Sequence, residues 1–190
     1  MAKLFFFYGA MDASKTAAAL MVAHNYKERG QKALLMKPFI DSRNGTLIKS
    51  RIGLEMESDL LIELDTDIFK FVKDSKKEDS RINCIIVDEV QFLKRQHIVH
   101  LCRVVEKLGI PVLCYGLRTD FTGNLFEGSQ WLLAWADDIK EIKTMCRRCD
   151  RKATMNIRID SNGERIYEGN QIKVGDNSSY ISVCRKHFFS

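Results

Sequence analysis

Two hydrophobic periods alternate along the chain. Residues 3–8 form a short run rich in aromatics that stops at Gly9, the pattern of a buried strand followed by a turn. Over residues 15–29 the apolar positions Ala19, Leu20, Val22, Ala23 and Tyr26 recur at helical spacing, and Gly30 supplies a stop. Residues 31–37 predict a second strand, closed by Pro38. The clearest strand is 81–87, which is β-branched and ends abruptly in Asp88-Glu89. A helix over 95–108, a turn at Gly109-Ile-Pro111 and a strand over 112–115 follow. Ser129 is placed to cap a helix running to Trp135, ahead of a strand over 139–145.

Between these elements the pattern weakens. Residues 41–58 are polar, with Gly45 and Gly53, and predict a mobile connection with at most a short strand. Residues 60–72 hold a strand and a helix, and the dense charges of 73–81 suggest an exposed link. After Cys146 short alternating runs such as 154–159, punctuated by Gly163, Gly169 and Gly175, predict a β-hairpin module. The expected division is an α/β unit over 1–143 and a small β-rich unit over 144–190. A unit of about 45 residues is too small to hold itself together by core burial alone, so a staple is expected. Strands alternating with helices imply an α/β fold: a parallel sheet covered on both faces, with ligands outside the carboxyl ends of its strands.

Composition narrows the class. The chain has 190 residues, 45% of them hydrophobic and 29% charged, with a net charge of +5. These values suit one globular domain with a small appendage and exclude a disordered chain. The longest apolar runs, 4–8 and 17–23, fall far short of the roughly 18 residues of a bilayer-spanning helix. The amino terminus enters strand-like sequence with no small-residue cleavage site behind it, so a reducing, cytoplasmic setting is expected. Lys and Arg are spread along the chain, which does not mark a nucleic-acid surface. Among the six cysteines, Cys84, Cys102 and Cys114 sit singly in apolar stretches, while Cys146, Cys149 and Cys184 cluster late.

Three groups of residues carry candidate chemistry. Gly9, Ala10, Met11, Asp12, Ala13, Ser14, Lys15 and Thr16 lie between a strand and a helix, where a phosphate-binding loop belongs. The pattern G-x-x-x-x-G-K-[ST] is complete except that Ser14 stands at the second glycine, and an ordinary turn with a solvated Lys15 fits the same residues. Asp88-Glu89 occupies the Walker B position, where Asp88 would hold Mg²⁺ and Glu89 would take a proton; capping or solvation also explains such a pair. Cys146-x-x-Cys149 and Cys184-x-x-His187 form two knuckles whose four ligands suit tetrahedral Zn²⁺ with no position left for water, hence a structural metal. Arg147, Arg148, Arg151, Lys152, Arg185 and Lys186 surround these ligands and either offset thiolate charge or mark a nucleic-acid surface. His24, His97 and His100 have no such partners and read as ordinary helix residues.

Taken in order, these features resemble the thymidine kinases of the homotetrameric, zinc-bearing type. The likeness rests on Gly9–Thr16, Asp41-Ser-Arg43, Ser50-Arg-Ile-Gly53, Val87-Asp-Glu-Val-Gln-Phe92, Pro111 to Phe121, the metal quartet, and Tyr180 four residues before Cys184. The Leu-Arg-Thr-Asp-Phe and Gly-Ser-Gln-Trp-Leu-Leu-Ala-Trp stretches resemble the bacterial branch. The resemblance implies transfer of the ATP γ-phosphate to the 5′-hydroxyl of thymidine in deoxynucleotide salvage. It makes Glu89 the general base and Asp88 the magnesium partner, and brings Asp41, Arg43 and Gln91 to the ATP and Mg²⁺ site with the loop residues. Arg51 is a weaker candidate there. It implies that Met11, Phe92, Leu117, Phe121, Phe126 and Tyr180 surround the nucleoside, and that Gln171, Ile172, Lys173, Val174 and Gly175 belong to a lasso closing over the base. A homotetramer and feedback inhibition by thymidine triphosphate are implied as well. Two rival readings remain: a nucleic-acid-binding P-loop ATPase that uses the basic zinc module, and a homologue impaired by Ser14.

Overall fold

The structure, a computed structural model, describes residues 1–171 and 180–190, leaving out the side chains of 42–44. In chain order its first part runs β1 (Leu4–Tyr8), α1 (Lys15–Glu28), β2 (Lys32–Pro38), β3 (Leu47–Lys49), β4 (Glu55–Glu57), β5 (Leu60–Ile62) and α2 (Ile68–Glu78). It continues with β6 (Ile82–Val87), α3 (Arg95–Arg103), β7 (Val112–Gly116), α4 (Glu127–Trp135) and β8 (Asp138–Glu141). Six of these strands form one sheet in the order β5-β2-β6-β7-β1-β8, and all its pairings are parallel. The α/β expectation therefore holds.

Apolar residues on both faces of the inner strands explain why helices cover both sides of the sheet. Alternate residues of β6 divide the core: Cys84 and Ile86 pack with Ala19, Leu20 and Ala23 of α1, while Ile85 and Val87 join Ile68, Val72, Ile98, Leu101 and Leu132 of α2, α3 and α4. β2 divides in the same way, Ala33 and Leu35 to one side and Leu34 and Met36 to the other. The small side chains of α1 let that helix lie close to the sheet. Among the described residues no helix is long and apolar enough to cross a membrane.

Several boundaries differ from those read in the sequence. The charged stretch after 72 is not a link: α2 continues through it to Glu78. Asp67 caps this helix by accepting from the Lys70 N–H at 2.9 Å, and Asp74 pairs with Lys70 at 2.9 Å and Lys77 at 3.2 Å, spacings that hold an exposed helix together. The polar region after Asp41 contains an antiparallel hairpin, β3 with β4. The helix from Arg95 gives way at Val104 to a π-helical turn through Leu108. Ser129 is not a cap but a buried residue inside α4, its hydroxyl donating to the Leu117 carbonyl. The strand expected over 139–145 is split, the sheet strand ending at Glu141.

Beyond the sheet lie β9 (Thr144–Met145), β10 (Lys152–Ala153), β11 (Met155–Ile159), β12 (Arg165–Ile166), β13 (Tyr180–Val183) and α5 (Arg185–Phe189). β9 pairs with β10, and β11 sits between β12 and β13, all antiparallel. The core of this region is small: Cys146, Ala153, Ile157, Val183, Cys184 and Phe188, joined by Ala10 from the loop after β1.

Two glycines mark close approaches. A Cβ at Gly116 would lie 2.5 Å from Gln91 Oε1 and 2.8 Å from Val90 Cγ2. At Gly128 it would collide with the backbone carbonyl of Val90 and come within 3.0 Å of that of Leu93. Gly128→Ala should therefore destabilise the fold by about 1–3 kcal/mol, read as a lowered thermal midpoint, because backbone cannot move aside as a flexible side chain can.

Candidate active site

The carboxyl ends of β1, β6 and β7 lead into one cavity of about 440 Å³. On the β1 side the chain turns at Gly9, where a Cβ would collide with the Ile142 carbonyl and lie 2.9 Å from Ala13 Cβ. The loop then passes through two left-handed residues, Asp12 at φ 61° and Ser14 at φ 58°. The second explains why the phosphate-loop pattern calls for glycine there: a side chain at positive φ is strained. Ser14 has no side-chain capping bond to offset that strain.

Immediately after Ser14, α1 begins and presents its first N–H groups to the loop, a ready-made anion site. Lys15 folds back so that its ammonium donates to the Ala10 carbonyl at 2.8 Å and the Gly9 carbonyl at 3.3 Å. Burial pulls this ammonium below its ordinary range, against the opposing influence of Glu89 and Asp88. Thr16 donates its hydroxyl to Asp88 Oδ2 at 2.7 Å, joining the loop after β1 to the end of β6. Burial first, and then the neighbouring Glu89 charge, push the Asp88 carboxyl up to about 7.

Glu89 is the third non-glycine residue at positive φ, 51°. Its carboxylate accepts from Gln91 Nε2, while Gln91 Oε1 accepts from the Leu117 N–H at 3.0 Å. Gln91 is 2% exposed, so this buried amide fixes where Glu89 points. Across the cavity two aromatic pairs meet edge to face: Phe92 with Phe126 at 5.9 Å, and Phe121 with Tyr180 at 6.3 Å. The Arg158 guanidinium lies 5.3 Å from the Phe121 ring and 5.8 Å from the Tyr180 ring. Flat, partly apolar walls beside a phosphate loop can hold an aromatic base.

All eight residues of the candidate phosphate segment except Gly9 and Ala10 line this cavity, as do Asp41, Asp88, Glu89, Gln91, Phe92, Leu117, Phe121, Phe126, Gln171 and Tyr180. Ile172, Lys173, Val174 and Gly175 lie outside the described residues, as does the Arg43 side chain. Sequence reading missed several lining residues, among them Lys37, Asn156, Asp120 and Arg147. Lys37 is 1% exposed at the end of β2 and donates to the Asp41 and Leu47 carbonyls, both at 2.9 Å. Asn156 accepts from the Met11 N–H at 2.8 Å, and Asp120 accepts from Gln171 Nε2 at 2.8 Å. Arg147, noted only among charges near the metal ligands, reaches Asp12 at 3.1 Å. The one available signal was a charged or amide side chain inside a strand, as at Lys37 and Asn156.

Away from the cavity, Cys146, Cys149, Cys184 and His187 bring four ligand atoms within 4.8 Å of one another. Cys149 Sγ lies 3.7 Å from Cys184 Sγ, and His187 Nδ1 lies 3.5 Å and 3.4 Å from the sulfurs of Cys146 and Cys184. Bonds of about 2.3 Å to sulfur and about 2.1 Å to nitrogen, at tetrahedral angles, separate ligand atoms by about 3.5–3.8 Å. These three separations and the donor chemistry of the quartet suit a closed tetrahedral site such as zinc occupies.

Comparison with known proteins adds an independent line. A family profile described as "Thymidine kinase" matches residues 2–188. A protein named thymidine kinase from Xanthomonas axonopodis pv. citri is 49% identical over 189 residues, 99% of this chain and 90% of that protein. One of the same name from Streptococcus gordonii is 47% identical over 190 residues, covering 100% and 97% of the two chains. A third, from Coxiella burnetii, is 49% identical over 189 residues, 99% and 95%.

The left-handed backbone at Ser14 generates a test. Ser14→Gly removes the strain without losing a capping bond, so it should raise kcat/KM for the nucleotide and leave thermal stability equal or higher. An unchanged or lower kcat/KM would mean that the serine does not handicap the loop.

Proposed function

Since this chain belongs to the thymidine kinase family, we propose that it transfers the γ-phosphate of ATP to the 5′-hydroxyl of thymidine, giving thymidine monophosphate for deoxynucleotide salvage. The observation that carries this reading is the meeting of a phosphate loop, an acid pair and two aromatic pairs around one cavity. Phosphoryl transfer depends chiefly on positioning and charge neutralisation, and each has residues to supply it.

Residues 9–16 wrap the phosphates, with Lys15 and the first N–H groups of α1 neutralising their charge. Asp41 and Arg43 approach the same phosphates from the segment after β2. Asp88 and Thr16, held oxygen to oxygen at 2.7 Å, would hold Mg²⁺. That ion, when bound, offsets charge on the β- and γ-phosphates. Glu89 takes the proton of the 5′-hydroxyl as it attacks, and Gln91 keeps Glu89 turned toward that hydroxyl. Met11, Phe92, Leu117, Phe121, Phe126 and Tyr180 enclose the nucleoside. Gln171, Ile172, Lys173, Val174 and Gly175 close over the base and exclude water, which competes as phosphoryl acceptor.

The four-ligand quartet holds Zn²⁺ as a structural ion, stapling residues 144–190 beside the kinase unit of 1–143. A cytoplasmic homotetramer with thymidine triphosphate as feedback inhibitor completes the reading. The nucleic-acid ATPase is not favoured, since the family match spans residues 2–188, and the impaired homologue differs from this reading in its turnover.

Assayed with ATP and Mg²⁺ against thymidine, deoxycytidine and deoxyadenosine, the chain should phosphorylate thymidine selectively; a folded preparation that phosphorylates none of them would refute the function. Glu89→Gln should lower kcat by about 10²–10⁴-fold while thymidine binding, measured by calorimetry, is retained. Metal analysis of the purified protein should find about one zinc per chain, and chelation should lower the thermal midpoint. A folded, metal-free chain would remove the staple.

A further inference from the structure

A carboxylate is an awkward group to place in a loop that receives a polyanion, yet the phosphate loop carries Asp12. Two guanidinium groups hold it. Arg51, from the turn between β3 and β4, pairs with Asp12 Oδ1, and Arg147, from the knuckle that follows Cys146, pairs with Oδ2 at 3.1 Å. Three segments far apart in sequence therefore meet on one side chain at the rim of the cavity, and all three residues line it. The Asp12 side chain is 17% exposed, against 54% and 61% for the two arginines.

We propose that Arg147 is a positioning residue of the ATP site: with Arg51 it cancels the charge of Asp12 and draws the carboxylate to the rim, so that the phosphate loop accepts a triphosphate. Asp12 alone adds −1 to the loop, whereas the three side chains together add +1. The β-rich module thus conditions nucleotide affinity as well as flanking the nucleoside. Because both arginines are more than half exposed, the effect is partly screened, and it is modest and weakened by salt. The inference deepens the kinase reading and rests on residues 9–16 being the ATP phosphate site.

The test is a cycle of variants with ATP varied at saturating thymidine. Arg147→Met should raise KM for ATP about three- to tenfold with kcat within about twofold of wild type, the signature of lost uniform binding. Zinc content and thermal midpoint should stay at wild-type values. Adding Asp12→Asn to Arg147→Met should bring KM back to within about twofold of wild type, because no charge then needs cancelling. A purely structural role for Arg147 would not be rescued in this way. An unchanged KM in Arg147→Met, or no rescue by Asp12→Asn, overturns the proposal. Should Arg147→Met lose zinc, Arg147→Gln makes the same comparison. Binding of a non-hydrolysable ATP analogue without nucleoside separates the two readings. The same pattern of affinities in a chain that does not phosphorylate thymidine would spare the clasp and sink the kinase, whereas an active kinase whose affinities ignore Arg147 would do the reverse.

Discussion

The geometry of the site depends on the end of β7, where Gly116 leaves room that any side chain would fill. Into that room goes the amide of Gln91, which accepts from the Leu117 N–H and donates to the Glu89 carboxylate. The Gly116 carbonyl in turn accepts from the Gly9 N–H at 3.3 Å, at the start of the phosphate loop. Because β7 lies between β1 and β6 in the sheet, this one position sets the loop after β1, the acid pair and the Leu117 segment against one another. A parallel sheet brings its strand ends to a common edge, but it does not by itself aim side chains. Gln91 does the aiming, and it does so from a fully packed position where its amide has little freedom to turn.

Strain gathers at the same edge. The three non-glycine residues with positive φ among those described are Asp12, Ser14 and Glu89, and all three line the cavity. Such residues cost about 1–3 kcal/mol each and persist only where their surroundings over-determine them. Two have partners that do so: Asp12 is held by two arginines and Glu89 by Gln91. Ser14 is exposed and has no capping bond, so its backbone is held by the Gly9 turn before it and by α1 after it.

Much of this was legible in the sequence because it is local. Strand and helix periods placed β1, α1, β2, β6 and β7 within a residue or two, and the loop and acid motifs each lie in one short run, the Cys/His quartet in two. Less was legible where charge masked periodicity: the lysine and aspartate residues that read as a link after 72 are the i,i+3 and i,i+4 pairs of α2. Ser129 has the chemistry of a cap, but packing against Leu117 puts it inside α4, a choice made by tertiary contact. The contacts Met11 to Asn156 and Asp12 to Arg147 join positions 145 and 135 residues apart, and no spacing in the chain announces them.

Those two contacts bear on how the small β-rich region around the Cys/His quartet meets the loop after β1. The loop is gripped from two sides: Ile142, leading out of β8, crowds Gly9, while the module supplies Asn156 to Met11, Arg147 to Asp12 and core contacts to Ala10. A loop that must keep left-handed residues in place gains from neighbours that do not move with it. Arg147 directly follows a ligand cysteine, and its backbone N–H donates to the Ser182 carbonyl at 3.0 Å, two residues before another ligand. A closed four-ligand site would fix the knuckle and β13 together, and with them the guanidinium. A core of a few apolar residues is too small to impose that rigidity. Asn156, Arg147 and the core contacts to Ala10 thus tie the region of the Cys/His quartet to the loop after β1 at three consecutive residues.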